Sequence, residues 1–145
     1  MSAEDLEKLV REGAIERVAA DRAAAGRDLN DAQAHLVDLD ARVAFDSAGA
    51  LTLAYDATRK AIVAHTRATG FRVTGGAGIH VRTGQYALAA LDHLDVTDHL
   101  RAFDDLRRLR NRSEYGAVAV GEDAASEAVV RSRAIVEAIR MELGE

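Results

Sequence analysis

The chain predicts an all-α fold, on three observations: alanine is abundant, proline is absent, and apolar residues recur at three- and four-residue steps. Alanine has the highest intrinsic helix propensity, and without proline no helical run loses a backbone donor. Steps of three and four line side chains along one helix face, so each run marks a face to be buried. At 145 residues the chain is one domain, long enough to bury a substantial core.

Ser2 is placed to cap a first helix with apolar positions Leu6, Leu9, Val10 and Ile15, fading through Ala23 to Gly26. Asn30 followed by Gln33 has the spacing of a capping box, and Ala32, Leu36, Leu39 and Val43 form the stripe of a second helix. Ser47 restarts or kinks it. The third helix runs to about Thr69, with Leu51, Ala54, Tyr55, Thr58 and Ile62 facing inward and Gly70 as its stop. Residues 70–78, Gly-Phe-Arg-Val-Thr-Gly-Gly-Ala-Gly, form the one long loop. It lacks the Gly-Lys-Ser/Thr ending and the strand context of a triphosphate cradle.

A fourth helix follows from about His80 to Leu94, with Thr83, Tyr86, Ala90 and Leu94 on one face. Thr97 or Asp98 caps a fifth, which ends near Gly116. Gly121 and Asp123 lead into the last helix, where Ala125, Val129, Ser132, Val136, Ile139 and Leu143 make the seam of bundle packing. Short connections among the last four helices predict an up-down four-helix bundle over 48–143. Residues 1–46 supply one or two additional N-terminal helices, packed outside that bundle or extending it. Alanine-rich faces permit a dimer interface without demanding one.

Composition narrows the function classes. Without cysteine there are no disulfides and no thiolate metal sites. No apolar run approaches the ~18 residues of a membrane span, and the acidic start Met1-Ser2-Ala3-Glu4-Asp5 lacks the features of a signal peptide. A cytoplasmic protein with no membrane partner is expected. The five histidines, His35, His65, His80, His93 and His99, include no pair four residues apart, and no carboxylate completes a zinc site. Neither metal nor other cofactor is expected. Serine is scarce and never in a nucleophile-elbow context, which sets the serine hydrolases aside. A net charge of −5 argues against a surface that coats nucleic acid throughout. Yet Arg101 to Arg112 holds five arginines against Asp104 and Asp105. Such a strip suits one phosphate or a short RNA segment, or is a solvated helix face.

Within that strip, Leu100, Phe103 and Leu106 mark an apolar face, and a step of four from Leu106 lands on Arg110. An arginine in line with such a stripe needs a partner or a cleft, because burying an unpaired charge is costly. Its forked donor suits two phosphate oxygens, and Asn111 supplies a donor and an acceptor beside it. The bland account is a salt-bridged or snorkelling arginine. Tyr115 stands five residues on, about 140° round an ideal helix, and meets Arg110 only if the helix end unwinds at Gly116. His80 stands at a helix start directly after the glycine-rich loop.

Together these residues resemble the HEPN superfamily, small helical-bundle proteins of prokaryotic toxin–antitoxin, defence and RNA-processing systems. The family signature is an arginine, usually a polar residue such as asparagine, and a histidine four to six residues on. Arg110-Asn111 matches its first half. The run Ala54-Tyr55-Asp56-Ala57-Thr58-Arg59-Lys60-Ala61, then Gly70-Phe71-Arg72-Val73, then Gly78 with His80, is similar to an actinobacterial-type HEPN domain. The resemblance spans roughly 48 to 143. Where active relatives carry histidine, this chain has Tyr115.

The resemblance implies a homodimeric, metal-independent endoribonuclease with two motif copies facing one another across a cleft. Arg110, Asn111 and Tyr115 then stand at the catalytic positions, and Arg107, Arg112 and His80 at RNA phosphate. Tyrosine, with a pKa near 10, is a poor base at pH 7, whereas histidine near 6.5 suits a proton shuttle. His80 is placed to substitute if the glycine loop folds over the cleft. The resemblance equally admits a degenerate module that binds RNA, a nucleotide or a partner protein. One form of it has Tyr115 modified by a nucleotidyltransferase-type antitoxin.

Overall fold

The computed structural model describes residues 2–114, 116 and 119–145. Among these residues eight helices and one small sheet form. In order they are α1 Ser2–Arg11, β1 Ile15–Arg17, α2 Arg22–Leu36, α3 Leu39–Val43, α4 Ser47–Thr69, β2 Phe71–Val73, α5 Ile79–Ala90, α6 Thr97–Arg101, α7 Phe103–Glu114 and α8 Glu122–Leu143. The fold is mostly helical, as the alanine content and missing proline predict. No helix among the described residues is long and apolar enough to cross a membrane.

Helix α4 is the axis. It buries residues on every side, from Ala50 and Leu51 through Tyr55, Ala57 and Thr58 to Ile62 and His65, the pattern of a central helix. Asp46 caps its start by accepting from the Gly49 N–H at 2.9 Å, and Gly70 ends it in the left-handed conformation. Helices α2 and α8 pack along α4, and their alanines let the backbones approach closely. The expected seam of α8 is buried throughout: Ala125, Val129, Ser132, Val136, Ile139 and Leu143. Ser132 donates to the Ala54 carbonyl at 2.8 Å and accepts from Thr58 at 3.0 Å, so the polar groups in this seam are partnered. Helix α2 belongs to the same core, through Ala25, Leu29, Ala32 and Leu36.

Several element boundaries correct the sequence expectations. The first helix does not run to Gly26. Gly13, at φ +75°, ends α1 with a Schellman closure, Ala14 N–H to Leu9 O and Gly13 N–H to Val10 O. Ile15 then lies in β1. The second helix starts before Asn30, because Asp21 already caps α2 by accepting from the Ala24 N–H at 2.9 Å. It stops at Leu36, where Asp38, at φ 56°, separates the stripe residues Leu39 and Val43 into α3. The fourth helix ends at Ala90 rather than Leu94. The arginine-bearing helix is two helices, with Ala102 between α6 and α7. Val96, not Thr97 or Asp98, occupies the cap position of α6.

The expected loop also contains a strand. Antiparallel β1 and β2 pair Ile15 with Val73, Glu16 with Arg72 and Arg17 with Phe71. This ties the N-terminal segment to the glycine-rich stretch. Arg82 of α5 then donates to the carbonyls of Thr74 at 2.9 Å and Gly75 at 3.0 Å, folding the stretch onto its own helix. The start of α5, and with it His80, is thereby fixed beside α4.

Candidate functional site

Tyr55 lies on the face of α4 that looks towards the start of α5 and towards α7. Its ring is fully buried, stacked on Phe103 with centroids 5.0 Å apart and planes 11° apart. Its hydroxyl is 2.6 Å from Nδ1 of His80. The Arg110 guanidinium sits over the same ring, 5.1 Å from its centroid, a cation–π contact. One aromatic side chain thus carries a cation on its face and an imidazole at its tip.

Arg110 is held in place rather than solvated. Its side chain is 21% exposed, Glu114 lies 3.6 Å from Nη2, and buried Nε has no hydrogen-bond partner among the described residues. A buried donor left unmade costs about 1–3 kcal/mol, so this arginine stores an unmet demand for an acceptor. It is not locked to Asp104, which takes Arg107 and Arg108 instead, each at 2.9 Å. Arg107 is half-buried and its charge reaches both His80 and Tyr55. Arg59, one turn beyond Tyr55 on α4, adds a third cation, and its paired acid Asp56 is 4.0 Å away.

These neighbours set the protonation states. Burial pushes the Tyr55 hydroxyl up to about 12, against the pull of Arg110, Arg59 and Arg107, so it stays a neutral phenol. Burial, then Arg107, Arg110 and Arg59, lower the His80 imidazole below its ordinary value, with Asp56 opposing. His80 is therefore a neutral base at pH 7. When Nδ1 carries the proton it donates to the Tyr55 oxygen, leaving the lone pair on Nε2 free. The Tyr55 hydroxyl fixes the orientation of the ring, and when it is instead the donor to Nδ1 the imidazole proton lies on Nε2.

The predicted site residues divide. Arg110, Arg107 and His80 come together around Tyr55. Asn111 and Arg112 instead line an open concavity of about 500 Å³ with Asp105, Arg107 and Arg108. Arg107 therefore borders both regions. Tyr115 lies outside the described residues. Helix α7 is described to Glu114, and Gly116 beyond it has φ 72°. Sequence reasoning placed Tyr55 in the core only and gave Arg59 no role in the site. Their spacing of four, together with the aromatic Phe103 on the apolar stripe, was the signal available.

A second concavity begins at His80. It measures about 430 Å³ and is lined by Val63, Phe71 and Val73, with the more exposed Ile79 and the arginines Arg59, Arg67 and Arg72. The chain matches no family model, no curated protein and no solved structure.

Proposed function

We propose that this protein is an HEPN-like module that binds the RNA backbone at Arg110 and carries out metal-independent phosphodiester cleavage with His80 in place of the missing motif histidine. In this assignment α4, α5, α6–α7 and α8 correspond to the up-down bundle. The observation that carries the proposal is the shared Tyr55, with Arg110 over its ring and His80 at its hydroxyl. In transesterification the ribose 2′-oxygen bonds to the adjacent phosphorus while the bond to the 5′-oxygen breaks. His80 takes the 2′-hydroxyl proton at Nε2 and returns it to the leaving 5′-oxygen. Products are a 2′,3′-cyclic phosphate and a free 5′-hydroxyl. Arg110, with Arg59 and Arg107, offsets the charge that builds on the phosphorane.

Incubation of a structured RNA in chelator with wild type, Arg110→Ala, His80→Ala and Tyr115→Phe tests this. General acid–base catalysis contributes about 10²–10⁴-fold, so His80→Ala is expected to lose at least about 10²-fold and Arg110→Ala a comparable amount, with Tyr115→Phe unchanged. Equal cleavage by all four overturns the assignment. Binding without turnover is the second reading, favoured by Glu114, which lies 3.6 Å from Arg110 and competes for its guanidinium. No cleavage, with binding that is lost in Arg110→Ala, selects it.

A further inference from the structure

The cleft of about 430 Å³ that starts at His80 runs along α4 towards Arg67. Its charge is uneven. Arg67 is paired with Asp28 at 2.9 Å and Arg72 with Glu16 at 2.6 Å, so both cations are compensated at that end. At the His80 end the pairing is looser: Asp56 stands 4.0 Å from Arg59, Glu114 stands 3.6 Å from Arg110, and Arg107 shares Asp104 with Arg108, while the field of all three arginines reaches His80. The cleft therefore suits a ligand with a flat apolar body and an anion at one end. Its polar groups are also one-sided: Thr66 donates its hydroxyl to the Val63 carbonyl and Thr83 to the Ile79 carbonyl. What these hydroxyls still offer is acceptor lone pairs, suited to an amino or imino N–H. Tyr55, Arg59 and Val63 follow one another by single helical turns, about 6 Å each. That spacing matches the reach from a phosphate to its own base.

From this we infer that the cleft is a nucleobase pocket, and that the site takes an unpaired nucleotide with its base over Val63 and Phe71 and its phosphate at Arg59 and His80. The inference rests on the RNA-phosphate proposal above and narrows it to single-stranded RNA, since a paired base is not free to enter. Ligand clefts of this size with few convergent polar groups are typical of small-molecule and cofactor sites.

The probe is a short single-stranded oligoribonucleotide, compared with the same oligomer made abasic at one position at a time. Binding is read by fluorescence anisotropy with wild type, Arg110→Ala, Ile79→Trp at the cleft mouth, and Val81→Trp as an exposed control on the same helix. Wild type is expected to lose at least about fivefold when one particular base is removed, the low end for a stacked base. Ile79→Trp is expected to lose that discrimination, and Val81→Trp to keep it. Equal binding of intact and every abasic oligomer, still weakened by Arg110→Ala, overturns the pocket and leaves the phosphate site standing. Binding that ignores Arg110→Ala altogether overturns the phosphate site at Arg110, and the pocket then stands or falls on the abasic comparison alone. The wild-type comparison requires no variant to fold.

Discussion

The hydroxyl of Tyr55 meets His80 while its ring supports Arg110, so one substitution separates the two roles. Tyr55→Phe keeps the stacking on Phe103 and the platform under Arg110 but releases the imidazole. It is expected to keep RNA affinity within about twofold, to cost about 1 kcal/mol of stability for one lost hydrogen bond, and to slow cleavage. Filter binding, urea melts and cleavage rates on the same preparation check this. Because burial and three arginines lower the His80 imidazole, cleavage should rise with pH through a value below the ordinary 6.5 and level off above it. A second histidine makes a purely structural prediction. His65, buried against Tyr86 at 2.7 Å, is lowered to about 4 by burial. Between that value and about 6.5 the unfolded chain binds more protons than the folded one, so stability falls as pH drops through this window and is unaffected above it. From about pH 7 to about pH 4.5, wild type should lose some 2–3 kcal/mol more than His65→Gln in urea melts.

At the scale of elements, the turn after α4 holds the cleft in shape. Gly70 has φ +86°, and a Cβ there would lie 3.0 Å from the Val18 carbonyl. Its own carbonyl accepts from the Val18 N–H at 2.9 Å. Gly70→Ala is expected to cost about 1–2 kcal/mol for the left-handed conformation alone, read as a lowered Tm, and to weaken oligomer binding by displacing Val18 from the cleft wall. The long helices were legible in sequence because their seams repeat over many turns: every expected seam position of α8 is buried, and α4 ends at Gly70 as read. The strand pair was not. Each strand has three residues, and Ile15 pairs with Val73 across a long stretch of chain that local pattern does not span. The break at Ala102 was hidden because α6 and α7 keep their apolar residues in step across it. In the site, Arg110 was legible as a cation in register with an apolar stripe. Tyr55 was not, since its chemistry arises only when His80 folds against it.

For the whole molecule, charge is the organising quantity. The chain carries a net charge of −5, yet Arg59, Arg107 and Arg110 gather around Tyr55 and His80, with Asp56 and Glu114 only loosely paired and Asp104 shared with Arg108. An acidic chain whose arginines gather locally favours a contact with few phosphates over wide coating of nucleic acid. The family resemblance implies two copies facing one another, so we propose a homodimer, to be read by sedimentation at micromolar concentration; a monomer would overturn that part of the resemblance. The most direct test of the central claim is the affinity of a short single-stranded RNA for wild type and Arg110→Ala across a series of salt concentrations. An arginine that engages a phosphate predicts at least about tenfold weaker binding in the variant and a salt slope shallower by about one contact. The same affinity and the same slope in both proteins would contradict the account.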